Sequence, residues 1–339
     1  MSYTAANSSG GAAIMRHLQR TALGVLAIAA LMGPAPAQDY PNRSITLVVP
    51  LAAGGGMDFI ARTIGAKLSE RLGKPVLVEN RPGGGTVIAA VATAKAPPDG
   101  YTLLLVPAPT LTTNAVVYKS LPYDPQKDFV PVALTSQVAF TLVVNPSLPI
   151  HSVADLIKYA KDKPGELIAA TSGVAGVPHL AAELLAYKTG IKIRSVHYRG
   201  SPPALNDVIA GHVHMMFSDP VTGAALAKDG KVRALAVSSK TRISVFPEIA
   251  PIAESGVPGY EATTWHMVIA PGQTPSNVVQ KLSSEIRAIV ALPEVRQQIA
   301  KVGLEPLDSP PPAELRKFLD AEIATWGKLV QQIGLAGTL

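Results

Sequence analysis

Reactive side chains are scarce in this chain, so the groups best placed to do chemistry are backbone amides. Cysteine is absent, which excludes disulfides, thiolate metal sites and cysteine nucleophiles. No G-x-S-x-G elbow or H-E-x-x-H helix occurs, and no close carboxylate pair has an obvious partner. His212 and His214 in "GHVHMM" stand two apart on what reads as a strand. With no third ligand nearby, they read as exposed strand histidines and not as a metal pair. What remains is a set of glycine-bearing turns. "VVPLAAGGGMDFIARTI" (48–64) runs from an apolar strand pattern through three glycines into an amphipathic helix. Glycines let a ligand approach the backbone closely, and successive N–H groups at a helix start attract anions. The Lys-Ser/Thr of a phosphate loop is missing, as is the G-x-G-x-x-G spacing, so no nucleotide is expected. Alone, such a turn is as often a plain strand-to-helix connection.

It is not alone. "ATSGVAGVPHLAAELL" (170–185) is a second turn of this kind, "YRGSPPAL" (198–205) a third and "FSDPVTG" (217–223) a fourth. Two of them facing each other could clamp a small anion between N–H groups and helix dipoles, with no arginine. His179 opens the helix after the second turn, and its residue type suits either a ligand contact or packing and capping.

The elements that must position these turns follow from the hydrophobic pattern. "ITLVV" (45–49), "PVLVE" (75–79) and "YTLLLV" (101–106) read as buried parallel strands, with helices between them. Asp58 suits the N-cap of the first helix and Gly73 its end. The β-α-β-α-β order predicts a doubly wound α/β unit. "DFVPVALTSQVAFTLVVNPS" (128–147) reads as one strand leaving this unit and one entering the next, after which the alternation restarts over roughly 143–243. "TTWHMVIAP" and the helices after 275 are expected to return to the first unit. The division is therefore 38–142 plus 244–339 for one lobe and 143–243 for the other, with a hinged cleft between. "NRPGGGTVIAAVATAKAPPDGYTLLLV" (80–106) reads as structural punctuation without a reactive group.

A length of 339 residues suits two domains, and 47% hydrophobic residues suffice for two cores. The formal charge of +6 is spread out, without Lys/Arg blocks interleaved with aromatics, so no nucleic-acid partner is expected. Arg16 and Arg20, the apolar run 22–32 and Ala35-Pro36-Ala37 have the layout of a secretory leader cleaved near Ala37. Met15 is an alternative start to Met1.

These stretches, from "YPNRSITLVVPLAAGGGMDFIAR" through "VLVENRPGGG", "PPDGYTLLL", "LPYDPQKDFVPVAL", "TSGVAGVPHLAAELL", "YRGSPPAL" and "ESGVPGYEATTW" to "EVRQQIAKVGLEP", resemble the Bug-type (TctC-like) periplasmic solute-binding proteins of tripartite tricarboxylate transporters. The resemblance covers about residues 40–335. It implies an α/β, two-lobed periplasmic-binding-protein fold (type II-like) with the ligand cleft between the lobes. It also implies a monomer that captures a small carboxylate (a di- or tricarboxylate, an amino acid or an aromatic acid) for membrane permease subunits. No catalytic residue, metal or cofactor is implied. One ligand carboxylate would be held by Leu51, Ala52, Gly54, Gly55, Gly56, Met57 and Asp58 from one loop. Ser172, Gly173, Gly176, Val177, Pro178 and His179 would hold it from the other. Ala108, Gly200, Ser201, Ser218 and Asp219 are brought toward the cleft. Two departures stand out: Val177-Pro178 replaces a usual hydroxyl residue before His-Leu, and Ser218-Asp219 replaces a usual Asp-Asn. They imply a pocket less polar on the second-lobe side. A periplasmic sensor read by a signalling receptor is the alternative role, and an enzyme on the same fold a distant third.

Overall fold

The apolar run Ile45–Val49 becomes β1, buried along its length. It pairs in parallel with β2 (Val76–Asn80) on one side and β3 (Thr102–Pro107) on the other. The computed structural model describes residues 40–339, and the fold is that of Arg43–Leu339. The leader expected over 1–37 lies outside the described residues. β2 departs from the expectation of a buried strand. It is the edge of its sheet, and Leu77 is 57% exposed. Its apolar run reflects packing of one face against α1 (Gly56–Leu72), where Val76 and Val78 lie against Gly65.

After α2 (Val87–Ala94), the short turns α3 (Ala108–Leu111) and α4 (Asn114–Val117) lead into β4 (Phe129–Ala139). β5 (Thr141–Val144) then opens a second sheet, with α5 (Val153–Asp162), β6 (Ile168–Thr171), α6 (Val177–Thr189), β7 (Arg194–His197), α7 (Ser201–Ala210), β8 (Met215–Ser218), α8 (Pro220–Lys228) and β9 (Arg233–Val237). β10 (Thr263–Pro271), α9 (Ser276–Ala291), α10 (Pro293–Lys301), β11 (Glu305–Pro306) and α11 (Pro312–Gln332) complete the chain. The sheets are ordered β11-β4-β10-β3-β1-β2 and β7-β6-β8-β5-β9. The fold is α/β and two-lobed, with one sheet in each lobe.

Both sheets are mixed rather than parallel. β10 runs antiparallel to β3 and β4, and β5 antiparallel to β8 and β9. The reason is connectivity: β5 and β10 enter their sheets from the other lobe, without the crossover helix that makes neighbours parallel. The crossings are tied together. The Phe140 and Ser238 backbones exchange bonds through Ser238 Oγ and the Ser238 N–H, and the Ser238 hydroxyl donates to Ala262 O at 2.6 Å. Leu315 and Leu319 of α11 lie in the first lobe's core, while Val330 packs with Ala175 and Leu180 of the second.

The two neighbouring histidines are not strand residues, because β8 begins at Met215. They sit in the preceding turn. His212 is exposed beside Asp207, whereas half-buried His214 turns inward and accepts the Ile168 N–H through Nδ1. Among the described residues no helix is long and apolar enough to cross a membrane, and no three His, Asp or Glu side chains group as a metal site.

Candidate functional site

The carboxyl ends of parallel strands from both sheets meet across one cleft, where ligands bind in open α/β folds. The loop after β1 touches the loop after β7: the Ala52 N–H donates to Arg199 O at 3.0 Å. Gly200, at φ 150°, sits against Ala52 so closely that a Cβ there would lie 2.9 Å from that residue's own. Behind this contact lies a cavity of about 700 Å³, counted out to its open mouth.

Its lining brings together Leu51, Ala52, Gly55, Gly56, Met57 and Asp58 from the first turn and Ser172, Gly173, Gly176, Val177 and Pro178 from the second, with Ser201 and Asp219 from the third and fourth. Gly54, Ala108, His179, Gly200 and Ser218 stand behind these residues and form no part of the lining. Gly54 and Gly200 carry the turns. The Ala108 N–H donates to Thr264 Oγ1. His179 is buried in the loop's framework: its Nδ1 accepts the Ala175 N–H, and its ring stands edge-on to His197 at 4.7 Å. Ala175 has φ 56°, and the histidine holds that strained turn in place.

Donors in this lining come from the backbone and from the Ser172 and Ser201 hydroxyls. The N–H groups of Gly56, Met57 and Asp58 open α1, and no acceptor among the described residues takes them. The same holds for Ser172 and Gly173 in the loop before α6, for Val177 at its start and for Ser201 at the start of α7. Among the described residues no Lys or Arg lines the cavity.

Asp58 does not cap α1 as its residue type suggested. Gly55 is the N-cap, and Asp58 sits three residues in, reaching back so that Oδ2 accepts the Gly54 N–H at 3.0 Å and Arg62 Nε at 2.9 Å. This reach-back satisfies a donor ahead of the cap, as the acid of a capping box does. Burial pushes the carboxyl up, but bonds from Arg62, Gly54 and Asn80 outweigh it and hold the group below the usual range. Arg62 thus balances the negative charge beside the free N–H groups.

Val174 completes the second turn's share, and sequence reasoning missed the remaining wall: Gly85, Thr86, Pro107, Val138, Phe140, Thr264, His266 and Leu304. Gly85 belongs to the stretch read as punctuation. With φ 59° it lies under the second lobe, where a Cβ would stand 2.5 Å from Val174 O. His266 was signalled only by being a lone histidine in an apolar strand. It is fully buried, with Nδ1 3.0 Å from Ser136 Oγ, and burial lowers its pKa to about 4, so it is neutral at pH 7. Apart from these polar groups the walls are apolar: Leu51, Met57, Val138, Phe140, Val174, Val177, Pro178 and Leu304.

Residues 60–335 match the family described as tripartite tricarboxylate transporter family receptor (TctC). The solved structure of R. palustris Rpa4515 with adipate is 39% identical, with a TM-score of 0.84 over 88% of this chain and 99% of that one. The periplasmic binding protein BugD is 32% identical with a TM-score of 0.83 over 88% and 99%. MatC (Rpa3494) from Rhodopseudomonas palustris with bound malate is 30% identical with a TM-score of 0.81 over 86% and 100%. Sequence and architecture agree over nearly the whole described chain, and this protein belongs to the TctC family of tripartite tricarboxylate transporter receptors, the Bug-type solute-binding proteins.

Proposed function

We propose that the protein captures a small carboxylate in the periplasm and delivers it to the permease of a tripartite tricarboxylate transporter, without chemical turnover. The observation that carries the reading is the pair of glycine turns leading into α1 and α6, whose unpaired N–H groups border one cavity that, among the described residues, no Lys or Arg lines. Such donors suit a carboxylate head, at roughly 1.5–3 kcal/mol for each charge-assisted bond. The apolar remainder of the lining suits a short carbon skeleton. Relatives of the same fold hold adipate and malate, which supports a carboxylate here. The leader pattern supports export. The lobes 38–142 plus 244–339 and 143–243 would close on the ligand, with the turns at 50–58 and 172–179 as the jaws.

The test is native mass spectrometry of the exported protein followed by calorimetric titration with whatever dissociates from it. A bound carboxylic acid that rebinds to stripped protein is the expected result. A bound cation, or an acid that is consumed during the titration, would sink the reading.

A further inference from the structure

On the far side of the cavity's inner wall lies a second hollow of about 940 Å³, counted to its mouth, bordered by Ser239, Lys240, Arg242, Ser244, Glu261 and Glu305. The two spaces lie on opposite faces of the same strands. Val138 and Thr264 border the inner cavity, while their neighbours Gln137, Ala139 and Thr263 border the hollow, as alternation along β4 and β10 requires. Among the described residues one side chain is common to both linings, Leu304, which is 3% exposed. It stands at the open end of the sheet, leading into β11, which pairs with β4 at Ser136 and Gln137. Gly303 before it lies against the second lobe, so close that a Cβ there would be 2.7 Å from Pro220 Cβ. Leu304 therefore sits where the lobes meet, as a plug between an apolar chamber and a polar one.

We propose that Leu304 sets the length of the carboxylate this protein accepts. The proposal rests on the reading of the cavity as a carboxylate site. With the head group at the α1 and α6 starts, the carbon chain runs toward Val138, Phe140 and Leu304. A distal carboxylate that reached Leu304 would lose water against an apolar wall. Shortening Leu304 joins the chamber to a hollow that is open to solvent, where a distal carboxylate stays hydrated; Lys240 there is already paired with Glu261 at 2.9 Å, so the hollow offers water and not a free cation.

The experiment compares wild type, Leu304→Ala and Leu304→Phe by calorimetry against straight-chain α,ω-dicarboxylates of increasing length. Leu304→Ala should move the best length up by two or so methylenes, at about fourfold in affinity per methylene newly buried. Leu304→Phe should move it down. A second arm uses the absence of native cysteine. A Val138→Cys thiol, inside the chamber, should react several-fold faster with a charged thiol reagent when Leu304→Ala is added. If dicarboxylates bind all three proteins with one length profile, or if the thiol stays equally protected, the proposal is wrong. If no carboxylate of any length binds any of the three, the carboxylate reading itself falls, and the thiol arm alone decides whether Leu304 closes the passage.

Discussion

Gly55 and Gly173 are the residues at which the backbone-clamp reading is most exposed to test. A Cβ at Gly55 would meet nothing nearer than Ala52 O at 3.8 Å, and one at Gly173 nothing within 4 Å, yet both glycines line the cavity. Gly55 has φ −89°, which any residue adopts. Gly55→Val and Gly173→Val should therefore fold with almost unchanged Tm while filling the space a ligand head needs. The loss expected in calorimetric affinity is about 10- to 150-fold, equivalent to one bond of roughly 1.5–3 kcal/mol. Wild-type affinity in both variants would rule out the clamp. His266 makes a separate prediction. Its folded pKa of about 4 lies below the ordinary 6.5, so between these values the unfolded chain takes up a proton that the folded one refuses. Stability from this group is complete above pH 6.5 and falls as pH drops toward 4, by about 3 kcal/mol in all. Urea melts of His266→Gln against wild type across that window should show the difference narrowing as pH falls.

At the scale of elements, the start of α1 and the crossing strands can be perturbed without entering the cavity. Arg62 holds Asp58 from outside, itself more than half exposed. Arg62→Ala leaves a buried carboxylate with the Gly54 N–H and loses its charge partner. After allowance for solvent screening, a cost near 1 kcal/mol is expected, seen as a lower urea midpoint with carboxylate affinity within about threefold of wild type. Abolished binding in folded Arg62→Ala would instead point to an arginine-anchored site. Ser238 is wholly buried and ties Phe140 to Ala262 where the lobes join. Ser238→Ala leaves the Phe140 N–H without that acceptor, and an unpaired buried donor costs about 1–3 kcal/mol. The same denaturation measurement checks it.

For the whole molecule, closure is the property that matters. The lobes touch at Ala52 and Arg199, at Gly85 and Val174, and at Gly303 and Pro220. On the proposed function, the ligand enters by opening about the Phe140 and Ser238 crossings. X-ray scattering should give a smaller radius of gyration with saturating carboxylate than after stripping. Gly85→Ala puts a methyl where Val174 O and Tyr118 Oη already stand and demands φ 59° of an alanine. It should keep the radius near the stripped value and weaken binding. An identical radius with and without ligand in wild type would remove closure from the mechanism.

Periodicity and punctuation determined much of this protein. Apolar runs of strand length, helices between them and glycine turns at the strand ends are local features, and they were enough for an α/β fold and for placing the two glycine turns at strand ends. Gly55, Gly173 and their neighbours were legible because a glycine run at a helix start has a local physical meaning. Tertiary structure decided what depends on contacts distant in sequence. β10 and β5 run antiparallel because they arrive from the other lobe. Asp58 reaches back past a cap that glycine already occupies. Phe140 between β4 and β5, His266 in β10 and Leu304 ahead of β11 have a local pattern that says only that they are buried. They become cavity walls because two sheets, joined at Ser238, bring their edges together, and no window of sequence contains both sides of that meeting.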